Sequence, residues 1–319
     1  MICLVTGGAG FIGSNLCKAL LSAGHKVICL DNFDDYYSPQ VKRDNIAGLQ
    51  HDGDFILVEG SILDAEFVRH VLYNYSVDYI FHEAAQPGVP ISVADPMKPF
   101  ETNLRGTLNV LNAALKSSVK KIINASSSSV YGKTYYLPYN EKHPTEPISP
   151  YGVSKLAAEH YCRVYYELYG LRTTSLRYFT VYGPGMRPDL AISIFIKSAL
   201  KNEPIEIFGD GKKTRDFTYI DDVVEANLLC MTKGDGETLN IGGGHRLSIQ
   251  ELAEIIIRNM NSNSIVTYSD NAKGDAQHTH SDSSLAKKLL GWEPKISLRE
   301  GILKYTEFTK GQTSEISKQ

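Results

Sequence analysis

The sequence predicts an α/β fold: a doubly wound parallel sheet with helices on both faces, joined to a smaller, interleaved α+β region in the second half of the chain. Two observations carry this expectation. Short, near-continuous apolar runs alternate with stretches of helical periodicity through the first half, and strands that are apolar at nearly every residue belong to sheets buried on both faces. After about Tyr178 the texture changes to shorter mixed segments punctuated by Pro and Gly, as in Gly183-Pro184-Gly185-Met186-Arg187-Pro188.

Taken in order, the strand-like runs are Ile2-Cys3-Leu4-Val5, Lys26-Val27-Ile28-Cys29-Leu30, Phe55-Ile56-Leu57-Val58, Tyr79-Ile80-Phe81 and Lys121-Ile122-Ile123-Asn124. Helical stretches between them cover Phe11 to Ala23, Ala65 to Tyr75 and Phe100 to Ser117. Thr173-Thr174-Ser175-Leu176-Arg177-Tyr178 reads as a further strand after a helix that begins near Ser149-Pro150. The first domain is therefore expected over 1–178 and the second over 179–319. Thr238-Leu239-Asn240-Ile241 looks like one more strand of the main sheet, so a segment near 216–243 is expected to return to the first domain. The polar stretch from Lys310 to Gln319 is expected to fray.

Composition narrows the function classes. A chain of 319 residues, 42% hydrophobic and 22% charged, is ordinary globular material with length for a large core. A net charge of −3 and a pI near 6.3 give no electrostatic case for nucleic acid or an anionic membrane as the main partner. The five cysteines form no C-x-x-C pair, and Cys3, Cys17 and Cys29 fall in apolar runs, which reads as free thiols in a reducing compartment. A strand pattern beginning at Ile2 leaves no room for a signal peptide, and no apolar run reaches spanning length, so a cytoplasmic location is expected.

Thr6-Gly7-Gly8-Ala9-Gly10-Phe11-Ile12-Gly13 lies between the first strand and a helix. Glycines there permit a tight turn and let backbone N–H groups approach a pyrophosphate at the helix N-terminus, the arrangement of a Rossmann-type dinucleotide site. Asp31 ends the second strand, where its carboxylate can bond an adenosine ribose and repel a 2′-phosphate, so NAD is preferred to NADP. Tyr151 and Lys155 stand at i and i+4 on a helix, on one face, so that an ammonium can favour an ionised phenol. Bringing a tyrosine from about 10 to about 7 takes roughly 4 kcal/mol of preferential phenolate stabilisation.

These residues, together with His82-Glu83-Ala84-Ala85, Asn103, Ser126 to Gly132, Arg177-Tyr178-Phe179-Thr180 and Phe208-Gly209-Asp210-Gly211 through Arg215-Asp216-Phe217, make the chain resemble the extended short-chain dehydrogenase/reductase superfamily, specifically its nucleotide-sugar epimerases. The resemblance runs from Met1 to about Ser297. It implies a tightly bound NAD and a UDP-sugar substrate, with Tyr151 as acid/base, Lys155 binding the nicotinamide ribose and lowering the Tyr151 pKa, and Ser127 bonding the sugar O4. It further implies cofactor contacts from Gly7, Gly10, Phe11, Ile12, Gly13, Asp31, Asn32, Ser61, Ile62, Ala84, Ala85, Asn103, Ser126 and Tyr178. Substrate contacts are implied for Gln86, Ser128, Ser129, Thr180, Arg187 and Asp275, with Ile207 and Phe208 flanking uracil and Arg215 near the diphosphate. Members usually work as homodimers paired through helices that include the one carrying Tyr151.

Within that superfamily the serine run separates reactions. Sugar 4,6-dehydratases carry Asp-Glu where this chain has Ser128-Ser129, and UDP-glucuronate decarboxylases carry Glu in place of Ser129. Hydroxyls with pKa far above 7 substitute poorly for such acids and bases, so epimerisation at C4 is expected and a lyase is not. Thr180 to Asp189, with Asp34-Asp35-Tyr36-Tyr37-Ser38-Pro39 and Ala85-Gln86-Pro87-Gly88-Val89, is most similar to UDP-glucuronate 4-epimerases. UDP-glucose relatives, the alternative, usually have Asn at the place of Thr180. Pro90, Ser61 and Ala272 depart from the usual Arg, Asp and Arg of these groups. His278 and His280 beside Asp275 and Asp282 have a loose metal-ligand look, but the reaction needs no metal and none is expected. Tyr161, Tyr165 and Tyr169 read as a packed or subunit-facing stripe, and Lys212-Lys213 as an exposed turn.

Overall fold

Seven parallel strands in the order β11-β6-β5-β4-β1-β2-β3 form the central sheet of the protein, seen here in a computed structural model that describes residues 1–270 and 277–316. In chain order these are β1 (Ile2–Thr6), β2 (Lys26–Asp31), β3 (Phe55–Glu59), β4 (Tyr79–His82), β5 (Lys121–Ser127), β6 (Thr173–Tyr178) and β11 (Thr238–Ile241). The order reverses between β1 and β4, which are neighbours in register with Thr6 opposite His82. Such a reversal opens a crevice beyond the carboxyl ends of the strands, and both lengths of sequence that enter it, the glycine loop and the residues after His82, are cleft-lining here.

Helices α1 (Phe11–Ser22), α2 (Pro39–Ala47), α3 (Ala65–Tyr75), α6 (Gly106–Leu115) and α7 (Pro150–Tyr169) cover the sheet, with two short turns, α4 (Val89–Ala94) and α5 (Met97–Pro99), before α6. One buried cluster, on Val5, Leu16, Phe81 and Leu176 among others, continues into the second region through Phe195, Leu252 and Trp292; the other, on Leu4, Ile80, Leu111 and Cys162, fills the opposite face. Adjacent residues of one strand, Leu4 and Val5, thus enter different cores, which is why the strands are apolar throughout.

The stretch expected to be one helix over Phe100–Ser117 begins instead as a π-helical turn, Phe100–Arg105, before α6. Its wider turn presents Asn103 inward, where it bonds three groups described below. The serine run is likewise split: Ser126 and Ser127 end β5, and Ser128–Val130 form a 3₁₀ turn. The second region is built from α8 (Ala191–Lys201), α10 (Ile249–Met260), α12 (Leu298–Ile316) and three two-stranded pieces. In one of these, β8 (Ile205–Phe208) pairs in parallel with β13 (Val266–Ser269). Strand β11 joins the main sheet beside β6, and α9 (Ile220–Cys230) leads into it.

All five cysteines are buried and free. No helix among the described residues is long and apolar enough to cross a membrane. The tyrosine stripe on α7 is not uniform: Tyr165 is buried with its hydroxyl donating to Asn112 Oδ1 at 2.7 Å, whereas Tyr161 and Tyr169 face outward. Lys212 is exposed as expected, but Lys213 is buried, because the chain turns inward there to enter β9 (Thr214–Asp216).

Candidate active site

A cleft of about 450 Å³ runs over the carboxyl edge of the sheet. At one end it is lined by the glycine loop and the tip of β2. Gly7 has φ +65°, and a Cβ on it would lie 2.8 Å from Ala84 Cα; a Cβ on Gly13 would lie 2.2 Å from Gly7 O. Only glycine lets the loop press this closely against both α1 and the end of β4. The first N–H groups of α1 have no intrahelical acceptor, and Phe11, Ile12 and Gly13 line the cleft there. Asp31, with Asn32 beside it, lines the same end; its carboxylate accepts from Ala9 N–H (3.1 Å) and Phe33 N–H (2.9 Å) and lies 3.9 Å from Lys42. Ser61, Ile62, Ala84 and Ala85 complete this wall. A narrow backbone cradle at a helix N-terminus with a carboxylate at the tip of β2 fits a dinucleotide such as NAD.

At the other end Tyr151, on the first turn of α7, faces Ser127, Ser128 and Ser129, with Tyr178, Thr180, Arg187 and Arg215 around it. The helix is aimed by its cap: Ser149 Oγ accepts from Gly152 N–H at 3.2 Å, Pro150 fills the first turn, and Gly152 packs so tightly that a Cβ would meet Ser129 O at 2.5 Å. Ser127 Oγ accepts from Ser129 N–H and donates to Ser129 Oγ, each at 3.2 Å, so the hydroxyls are ordered among themselves. Beneath them Ser126 donates to Glu159, which is paired with Arg177 at 2.8 Å.

Lys155 does not reach into the cleft. Its Nζ donates to Ala125 O at 2.8 Å, and burial pulls it down to about 8, opposed by the fields of Glu83, Cys162 and Glu159. The expected lowering of the Tyr151 pKa by Lys155 belongs to the NAD-bound enzyme. Tyr151 stands above the usual tyrosine value: burial, the largest influence, pushes it up, the Ser127 hydroxyl and the Arg187 cation pull it down, and Glu83 pushes it up.

Asn103 also stands outside the cleft wall. Its Oδ1 accepts from Gln86 N–H at 2.7 Å while its Nδ2 donates to Gln86 O (3.1 Å) and Ser154 Oγ (2.9 Å), so it clamps the backbone of Gln86, which lines the cleft. Ile207, on β8, is buried and Phe208 is exposed, and neither lines the cleft. Arg215 lines it, with Nη1 donating to Thr214 O and Gln277 O. Asp275 and Ala272 lie outside the described residues.

Several cleft residues were not singled out from the sequence: Lys42, Thr279 and, above all, Glu83. Tyr36 and Tyr37, noted only as part of a motif, line the cleft too, and the Tyr36 hydroxyl donates to Asp189 Oδ2 at 3.1 Å. The one signal for Glu83 is a carboxylate directly after the apolar run of β4, at the sheet edge where ligands sit. Burial raises it to about 7, against the Tyr178 hydrogen bond and the Lys155 field. His82, its neighbour, is held neutral: burial first, then Lys155, lowers it to about 3.

Comparison with known proteins agrees with this geometry. Residues 3–242 match the NAD dependent epimerase/dehydratase family. UDP-glucuronate 4-epimerase of Thermodesulfobacterium geofontis is 37% identical over 96% of this chain and 95% of its own length. Among solved structures, UDP-glucose 4-epimerase of Thermotoga maritima with UDP-glucose is 37% identical at TM-score 0.92, covering 98% of this chain and 100% of that one. UDP-glucuronic acid 4-epimerase of Bacillus cereus, with UDP-glucuronic acid and NAD, is 36% identical at TM-score 0.92 with the same coverage. The chain is an enzyme of the NAD dependent epimerase/dehydratase family, and NAD is its cofactor.

Proposed function

We propose that this enzyme is a UDP-sugar 4-epimerase whose substrate pair is UDP-glucuronate and UDP-galacturonate. The observation that carries the choice of sugar is the row of hydroxyls Ser127, Ser128, Ser129 and Thr180 along one cleft wall, with no carboxylate among them. Bound NAD supplies the reversible two-electron oxidation at C4. Tyr151 takes the O4 proton and gives it back, and Ser127 holds O4. The 4-keto uronate is a β-keto acid and loses CO₂ when its C5–carboxylate bond stands perpendicular to the ketone plane. Hydroxyls fixed in a row can hold the carboxylate near that plane by charge-assisted hydrogen bonds, with no Glu to repel it. Arg215 and Arg187, both on the cleft, are the cations available to a diphosphate. Asn103 acts at one remove, by holding the Gln86 backbone in the cleft wall.

The UDP-glucose reading stays as the alternative because relatives named for either sugar stand at nearly equal identity and equal TM-score. Incubation with UDP-glucuronate and separately with UDP-glucose, followed by NMR of the C4 epimers, decides it. Turnover of UDP-glucose alone overturns the uronate assignment. We infer in addition a homodimer in the cytoplasm: the outward face of α7 exposes Val153, Tyr161, Val164 and Leu168, the last at 70%, and five free thiols suit a reducing compartment. Sedimentation at monomer mass across working concentrations would remove the dimer.

A further inference from the structure

Three carboxylates line the cleft among the described residues: Asp31, Asp34 and Glu83. The two aspartates belong to the β2 end. Asp31 is engaged by backbone N–H groups, and Asp34 Oδ1 accepts from Tyr36 N–H at 2.9 Å. Glu83 alone stands at the catalytic end, one residue past β4, at the point where the strand order reverses. No step of the proposed reaction uses it.

Its position is fixed from behind. Tyr178 Oη lies 2.8 Å from Glu83 Oε1. Asn227 Nδ2, oriented by its bond to Val223 O at 2.9 Å, donates to the same Tyr178 oxygen at 2.8 Å. With that lone pair taken, the single Tyr178 proton goes to the nearer acceptor, Glu83, in preference to Asn227 Oδ1 at 3.1 Å. The chain Asn227, Tyr178, Glu83 therefore runs in one direction and ends on a carboxylate facing the cleft. Lys155 and Tyr151 both feel its charge.

We propose that Glu83 is a redox-tuning residue: its tethered carboxylate, set among Tyr151, Lys155 and Tyr178, holds bound NAD toward the oxidised form. Reduction of a nicotinamide adds two electrons and one proton, a hydride in sum, and removes the positive charge of the ring. Lys155 lies behind the cleft wall, where the Glu83 charge reaches it, and while it is protonated a cationic ring meets like charge unless an anion offsets it. The proposal rests on NAD as the cofactor and not on the choice of sugar.

The test uses the NAD-bound protein without sugar. The reduction potential of the bound cofactor is measured anaerobically against redox dyes, by the near-ultraviolet absorbance of the reduced ring, at pH 6 and pH 8.5. Glu83→Gln keeps the size and the Tyr178 hydrogen bond and removes only the charge. Above neutrality it is expected to lower the oxidised-to-reduced ratio about tenfold, about 30 mV for a two-electron couple. At pH 6, where wild-type Glu83 holds a proton, the difference should close. Equal potentials at pH 8.5, or an offset of the same size at both pH values, would overturn the proposal, since a packing role has no reason to follow Glu83 ionisation. The groups facing Glu83 that also titrate are Lys155, Tyr151 and Tyr178, and because the Glu83 charge raises the Lys155 pKa, any step from Lys155 should move to lower pH in the variant. If the variant does not fold, wild type alone decides: a potential with no step near pH 7 beyond that of free NAD sinks the idea. Absence of uronate turnover would leave all of these readings intact.

Discussion

Removal of Glu159 should expose how much the layer beneath the serine run contributes. Its side chain is 4% exposed and receives Arg177 Nε at 2.9 Å and Nη2 at 2.8 Å, with Ser126 donating as well. Arg177, 7% exposed, also donates Nη1 to the Tyr131 hydroxyl at 3.0 Å, its guanidinium 4.8 Å from that ring centroid. Glu159→Ala leaves a planar cation buried with its fork empty, which costs about 3–5 kcal/mol. The double change Glu159→Leu with Arg177→Met removes both charges and should be far milder, between neutral and a gain of a few kcal/mol. With a urea slope of about 3 kcal/mol per M, the single variant should unfold about 1–1.7 M earlier. Trp292 is the chain's one tryptophan and is buried, so its fluorescence reports the transition, measured at saturating NAD so that ligand linkage is constant. A single variant within about 1 kcal/mol of wild type, or a double variant as unstable as the single, would refute the reasoning.

Two further outcomes concern the cleft. Gly13→Ala puts a methyl 2.2 Å from the backbone oxygen of Gly7, so the variant should purify with little NAD, and stoichiometric nicotinamide released on denaturation would contradict the cradle described above. Arg187→Met removes a cation that lowers the Tyr151 pKa; the phenol then ionises later, and the rising limb of kcat/KM with pH should move to higher pH, whereas an unchanged or lowered limb would remove Arg187 from the field on Tyr151.

How much of this was legible in the sequence depended on range. The main sheet was readable because each strand is apolar on both faces and each turn into α1 or out of β2 carries its own chemistry, at Gly13 and Asp31. Pairings such as β8 with β13 were not, since four-residue strands 61 positions apart leave no periodic mark. The pair Tyr151/Lys155 was found by spacing, yet spacing says only that two side chains share a face. Lys155 is turned to the Ala125 carbonyl within β5, and the influences on Tyr151 are burial, Ser127, Arg187 and Glu83, none of which spacing shows. Phe208 was carried over by motif, and the motif does not fix which side of its strand meets the cleft. Glu83 was read as a letter of a motif because its Tyr178 and Asn227 partners come from strands and helices about 95 and 144 residues away in the chain.

Glu83 also bears on the proposed uronate reaction. A 4-keto uronate is lost to CO₂ in proportion to the time it spends in the site as well as to the angle of its carboxylate. On the proposed uronate reading, the hydroxyl row acts on the angle. Glu83, by favouring the oxidised cofactor, acts on the time: when the bound NAD is held oxidised, the equilibrium between sugar alcohol and ketone lies toward the alcohol, and less ketone is present at any instant. The two devices sit on different walls, the hydroxyls at the end of β5 and the carboxylate at the end of β4, and they can be separated. Glu83→Gln should release more CO₂ per epimerisation from UDP-glucuronate above neutral pH while leaving the hydroxyls in place, which labelled substrate would show. Ser128→Ala should raise CO₂ release with no change in the potential of the bound cofactor. If both variants shifted the potential together, the division of labour between the walls would be wrong, and the serine turn would have to be coupled to Glu83 through Tyr151.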